Sequence, residues 1–176
     1  MRLFVAIFPP EDARAHLRGR ITHALAPGGR RVRLTPPERW HLTLSFLGEV
    51  DPERLPDVHR AMDDVPTAGS ITLRMSGGGS FGRGRSAPLW VGIEGDLEAL
   101  AGLHAGIRDG LAGAGLPYET RPLTPHLTVA YAHSPELREA LSGYAGPSWT
   151  ADEYVLVHSR HAERRGYEIL RAWPLG

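Results

Sequence analysis

Apolar and polar residues alternate along His41-Leu42-Thr43-Leu44-Ser45-Phe46. They do so again along His126-Leu127-Thr128-Val129-Ala130-Tyr131, about half of the 176-residue chain later. A period of two predicts a β-strand, whose successive side chains take opposite faces. On that reading His41, Thr43 and Ser45 share one face, and Leu42, Leu44 and Phe46 the other. Likewise His126, Thr128 and Ala130 oppose Leu127, Val129 and Tyr131. Each strand precedes a helix start: Asp51-Pro52-Glu53-Arg54-Leu55 after the first, Ser134-Pro135-Glu136-Leu137-Arg138 after the second. Both supply an N-cap side chain, a proline at the first helical position and an acid in the first turn. A lone His-x-Thr strand would read as a half-buried structural histidine. Two copies with matched helices predict an internally duplicated half-domain.

The remaining pattern predicts a strand over 2–8 and a helix over 10–25, ended by Pro27-Gly28-Gly29. A short basic strand over 30–34 leads to the first motif strand, 40–47, closed by Gly48. A helix over 52–64 and a strand over 70–76 follow. The Gly-rich stretch 77–86 reads as a flexible connection, either a plain hairpin loop or a loop whose backbone N–H groups, Arg83 and Arg85 face phosphate. Its G-x-G spacing has no helix after it, so it is no dinucleotide fingerprint. A strand over 89–93, a helix over 96–114, the second motif strand 126–131, a helix over 135–143 and strands near 153–159 and 166–173 complete the chain. Strands separated by helices, with hairpins over 70–93 and 153–173, predict an α+β fold with antiparallel pairing. No stretch is long enough to be a linker between independent domains.

Composition narrows the chemistry. Arginine supplies all 20 basic residues; there is no lysine and no cysteine. That excludes a P-loop, Schiff-base catalysis, a lysyl-nucleotide intermediate, thiolate nucleophiles, disulfides and Cys-ligated zinc. The 20 acids bring the formal charge to +0, so no global basic field steers nucleic acid, and any such contact is local. Arg30, Arg31, Arg33 and Arg39 cluster before the first motif. The guanidinium fork suits bidentate phosphate binding, although arginines also fill solvated faces. The chain has 41% hydrophobic residues and no apolar run of membrane-spanning length. It is expected to be a cytoplasmic protein with no membrane partner, and a monomer.

Two histidines on two strands suit general acid–base catalysis, because imidazole exchanges its proton near neutrality. A phosphodiester is the natural substrate, since in-line displacement needs a base on one side of phosphorus and an acid on the other. Thr43 and Thr128 would then hold the non-bridging oxygens. This design needs no metal and no cofactor. The nearest metal pair, His158 and His161, would point to opposite faces of a strand. His16, His23, His59 and His104 read as surface or boundary residues of helices, and His133 as structural.

The paired H-x-T-x strands resemble those of the two-histidine (2H) phosphoesterase superfamily, and within it the RNA 2′,3′-cyclic phosphodiesterases, also called the 2′-5′ RNA ligase family. The likeness runs from Met1-Arg2-Leu3-Phe4-Val5-Ala6-Ile7 through Arg33, Pro36, Pro37 and His41-Leu42-Thr43-Leu44-Ser45-Phe46-Leu47-Gly48. It continues in Phe81, Leu89-Trp90-Val91-Gly92, Thr124-Pro125-His126-Leu127-Thr128, Val155-Leu156-Val157-His158-Ser159 and Tyr167. The resemblance implies one bilobal domain over 1–176, with antiparallel sheets around a central groove and helices outside. It implies hydrolysis of an RNA-terminal 2′,3′-cyclic phosphate to a 2′-phosphate, with His41 as general acid and His126 as general base, and 2′-5′ ligation as a reverse reaction. It also implies Phe46 as an aromatic near the base. Tyr131 stands where many members have arginine, five residues after the second histidine. That shifts phosphate or nucleotide contacts to Arg83, Arg85 or Arg121. The alternatives are a phosphodiesterase for a small nucleotide cyclic phosphate and a nucleotide-binding module without turnover.

Overall fold

The run Leu3-Phe4-Val5-Ala6-Ile7 is apolar at every position, and in the computed structural model every one of these side chains is buried. The structure describes residues 1–25, 32–67, 69–82, 84–160 and 166–176. In chain order the elements are β1 (Arg2–Ile7), α1 (Glu11–Ala24), β2 (Leu42–Glu49), α2 (Leu55–Asp63), β3 (Ile71–Ser80) and β4 (Pro88–Gly95). There follow α3 (Leu97–Gly113), β5 (His126–Tyr131), α4 (Pro135–Ser142), β6 (Ala145–Ala151), β7 (Glu153–Arg160) and β8 (Gly166–Pro174). They make two four-stranded antiparallel sheets, in the orders β2-β1-β7-β8 and β5-β4-β3-β6. No described helix is long and apolar enough to cross a membrane.

The two orders match position by position. In each sheet the motif strand is an edge, its neighbour is reached through one helix (β1–α1–β2 and β4–α3–β5), and a second helix follows (α2 and α4). The expected duplication is thus present as topology. The first sheet is built from both ends of the chain, and the second from its middle. Helix α1 packs on α4 and β6 of the second sheet, while α3 packs on α2 and on β2 of the first. One buried apolar cluster therefore contains residues of both sheets and all four helices.

Simple alternation fails just after the threonine of each motif strand, and there it fails identically. Opposite β1, Ala6 pairs with Thr43 but Val5 with Ser45, which leaves Leu44 as an extra residue. Opposite β4, Trp90 pairs with Thr128 but Leu89 with Ala130, which leaves Val129 extra. Such a bulge reverses the facing of all that follows. Ser45 and Ala130 become buried, and Phe46 and Tyr131 turn onto the face of the histidine and threonine. This corrects the sequence-based facing of all four residues. A second bulge in β2, at Leu47, carries the strand through Gly48 (φ 76°) to Glu49, so Gly48 bends the strand rather than closing it.

Other boundaries also move. Gly77 to Ser80 belong to β3, not to a loop. Of the basic strand expected over 30–34, Leu34 makes an isolated bridge to Ala130, and Arg30 and Arg31 lie outside the described residues. Strand β6 is absent from the sequence-based reading, because Gly146 and Pro147 argue against a strand. Its place at the sheet edge, with a register shift opposite Arg74 to Ser76, tolerates both. The helix starts are as expected: Asp51 caps the turn Pro52–Arg54 (Glu53 N–H to Oδ1, 2.9 Å), and Ser134 Oγ caps α4.

Gly78 lies where α4 crosses β3, and a Cβ there would stand 2.7 Å from Leu141 Cβ and 2.5 Å from the Trp90 carbonyl oxygen. Gly78→Ala is expected to cost about 1–3 kcal/mol through overpacking, read as a lower urea midpoint. An unchanged midpoint would refute the close packing of α4.

Candidate active site

His41 and His126 reach one groove from opposite sheets, and each ring is held in the same way. His41 Nδ1 lies 2.6 Å from the carbonyl oxygen of Arg39, and His126 Nδ1 lies 2.5 Å from that of Thr124. A carbonyl only accepts, so both Nδ1 atoms carry a proton and donate it. That fixes the tautomer and leaves each Nε2 to gain or lose the working proton. In both cases the acceptor is the second residue before the histidine, so the short turn into the strand sets the ring.

The rings rest on aromatic supports. His41 stacks on Phe4 at 4.8 Å and meets Tyr167 edge-on at 5.4 Å. His126 meets Phe81 edge-on at 4.9 Å, and Phe81 is itself stacked on Trp90 at 5.1 Å. Burial among these rings pushes the His41 proton affinity down, the hydrogen bond to Arg39 partly restores it, and the charge of His126 lowers it again.

Thr43 and Thr128 line the same cavity, of about 430 Å³, together with both histidines. Its wall is closed by the segment before β2. Thr35 N–H donates to the Val129 carbonyl (2.9 Å) and Tyr131 N–H to the Arg33 carbonyl (3.1 Å), so residues 33–35 pair with the free edge of β5. The buried Trp40 indole donates to the Thr35 carbonyl at 3.0 Å and ties that segment to the turn that carries His41. Arg2, Arg33 and Arg39 line this end of the cavity beside Tyr131 and Tyr167.

A second cavity adjoins the first at His126. It shares Thr43, Phe46 and His126 with the first and adds Phe81, His104, Glu119 and Arg121; His41 does not line it. The side chain and the N–H of Arg121 both donate to Glu119 (2.7 and 3.0 Å) and hold its carboxyl at about 2, so this end carries a compensated pair. His104, read from the sequence as a surface or boundary residue, is part of this wall.

The structure thus brings together His41, Thr43, Phe46, His126, Thr128 and Tyr131, with Arg121 in the adjoining cavity. Arg85 is exposed and lines neither cavity, and Arg83 lies outside the described residues. His158 faces away from the groove, 3.8 Å from Glu168, and His161 lies outside the described residues. The sequence reading assigns no contact to Arg2; its place on β1 two residues before Phe4 is the only signal of its facing. Arg39 stands out in the sequence only as a member of a basic cluster, and Arg33 as a member of that cluster and of the family-like segment before His41.

A family model described as LigT-like phosphoesterase matches residues 7–90. An RNA 2′,3′-cyclic phosphodiesterase of Thermus thermophilus is 34% identical over 169 residues, covering 90% of this chain and 82% of the relative. A protein of the same name from Escherichia coli K12 is 30% identical over 182 residues, covering 99% and 96%. The crystal structure of E. coli LigT in its apo form matches with a TM-score of 0.79 at 28% identity, covering 98% of this chain and 96% of that one.

In the free protein the His41 ring is expected to titrate below 6.5, since burial favours its neutral form. Inorganic phosphate bound beside it favours the charged form and moves the midpoint up. Histidine NMR titration with and without phosphate checks both; a free midpoint above 6.5 would refute the burial argument.

Proposed function

The chain belongs to the LigT-like phosphoesterase family, and from that premise we propose that it opens RNA-terminal 2′,3′-cyclic phosphates to 2′-phosphates by paired-histidine catalysis. The observation that carries this reading is the pair of imidazoles with pinned Nδ1 atoms, facing one groove from opposite sheets, each with a threonine beside it.

The two cavities support a division of labour. His126 lines both, whereas His41 lines only the arginine-rich one. Water entering from the second cavity meets His126, whose Nε2 takes its proton as the oxygen bonds to phosphorus. The bond from phosphorus to the ribose 3′ oxygen breaks on the opposite side, and His41 Nε2 gives that oxygen a proton. Thr43 and Thr128 hold the non-bridging oxygens as charge builds on them. The product keeps phosphate on the 2′ oxygen, and one proton has passed from His41 to product while His126 has gained one. Exchange with solvent resets both rings. His41 starts neutral-leaning because of its burial, and the negative phosphate is what brings its proton back in the complex. A 5′-hydroxyl in place of water would run the same steps toward a 2′-5′ linkage.

The test is hydrolysis of a short RNA ending in a 2′,3′-cyclic phosphate, in EDTA, with 2′- and 3′-phosphate products resolved. A 2′-phosphate is expected, and His41→Ala and His126→Ala should each lower kcat by about 10²–10⁴-fold with native circular dichroism. A 3′-phosphate product, or a variant close to the parent rate, would refute the assignment.

A further inference from the structure

We propose that Phe81 is a stacking platform for a nucleobase, the base of the nucleoside whose 5′ oxygen meets His126. This deepens the reading above and rests on it.

Three ring separations fix how Phe81 lies. It is stacked on Trp90 at 5.1 Å and meets His126 edge-on at 4.9 Å. Trp90 and His126 are 6.3 Å apart, well short of the sum of those two distances. They therefore do not flank Phe81 from opposite sides: Trp90 covers one face and His126 stands at the rim. The opposite face is taken by neither, and Phe81 is 45% exposed.

The strands beneath hold this stack in place. Gly79 pairs with Trp90 across β3 and β4, and a Cβ at Gly79 would stand 3.0 Å from the indole. The indole thus lies over a glycine, where a side chain would lift it. The Phe81 N–H donates to the Pro88 carbonyl at 3.1 Å and fixes the ring at the end of that ladder. A flat aromatic face presented in this way suits a nucleobase, since every base offers a face to stack whatever its edge.

The cavity decides which base. Phe81 lines the second one, of about 690 Å³, which His126 lines and His41 does not. In the mechanism above the nucleophile reaches phosphorus from there. An attacking water needs little of that space, whereas a nucleoside bringing a 5′ hydroxyl uses both the space and the ring. Cleavage of a 2′-5′ linkage follows the same route in reverse. The 3′ hydroxyl gives its proton to His41 Nε2 as its oxygen bonds to phosphorus. The bond from phosphorus to the 5′ oxygen breaks, and His126 Nε2 gives that oxygen a proton. The departing nucleoside then leaves from Phe81.

The experiment compares two 2′-5′-linked substrates that share adenosine on the 2′ side. In one the 5′ oxygen belongs to adenosine, in the other to 1-deoxyribose, which has no base. The adenosine substrate is expected to exceed the abasic one in kcat/KM by about fivefold or more, the lower end of what stacking on an aromatic ring supplies. In Phe81→Leu the ratio should fall toward one, and in Phe81→Tyr it should be kept. Weaker support of the His126 ring would slow both substrates alike, so the ratio reads stacking alone. Equal kcat/KM in the parent protein, an unchanged ratio in Phe81→Leu, or no cleavage of either linked substrate overturns the platform. So does a Phe81→Leu loss confined to the base on the 2′ side, read by comparing adenosine and 1-deoxyribose 2′,3′-cyclic phosphates. Hydrolysis of adenosine 2′,3′-cyclic phosphate by the parent separates the two readings: turnover there leaves the cyclic phosphodiesterase in place when the platform fails, and no turnover removes both.

Discussion

One extra residue after each threonine governs the groove. Without the bulges at Leu44 and Val129, the motif strands would keep strict alternation, and Phe46 and Tyr131 would lie in the core. With them, each edge strand presents a histidine, a threonine and an aromatic ring on one face over six residues. A bulge costs ladder hydrogen bonds and local regularity, and it persists because the residues on either side bury well. Leu44 and Val129 are both enclosed, and so are Ser45 and Ala130 beside them. The core therefore holds the kink in place, and the kink aims the ring.

Around that frame the two halves differ in what surrounds the matched histidine and threonine. His41 is sunk among Phe4, Phe8 and Tyr167, and burial there weakens its hold on a proton. His126 sits against Phe81 and Trp90 at the junction of two cavities. A duplicated scaffold gives two imidazoles held alike, and the packing beside them makes their surroundings unequal. The segment 33–35, which leaves the first half and pairs with the edge strand of the second, is the main break in symmetry, and it carries Arg33.

The sequence reveals the motif strands, the four helices and the duplicate because these depend on local spacing: period-two alternation, proline at the first helical turn, a cap before it. It also locates His41, Thr43, His126 and Thr128. The bulges are invisible to it, since Leu44-Ser45 and Val129-Ala130 read as ordinary members of an alternating run. Strand β6 is hidden by Gly146 and Pro147, whose tolerance depends on being at an edge. Arg2 has no place in a sequence-based site because its neighbours at the groove, Phe46 and Tyr167, are far away along the chain. Arg85 is a candidate in the sequence through its Gly-rich stretch and the replacement of the family arginine by Tyr131; in the structure β3 continues through Ser80, and Arg85 is exposed outside both cavities.

The threading of the chain sets an order of assembly during synthesis. The second sheet lies within residues 71–151 and can close as soon as that stretch leaves the ribosome. Strand β1 is made about 150 residues ahead of its partner β7, which begins only at Glu153. At about 5–20 residues per second, the first strand waits roughly 8–30 seconds for that neighbour. Throughout that interval a strand that is apolar from Leu3 to Ile7 has one edge open. Its protection falls to β2 alone, the antiparallel partner joined to it through α1, so the strand that later turns its threonine and aromatic ring to the groove first serves as the cover for a nascent chain.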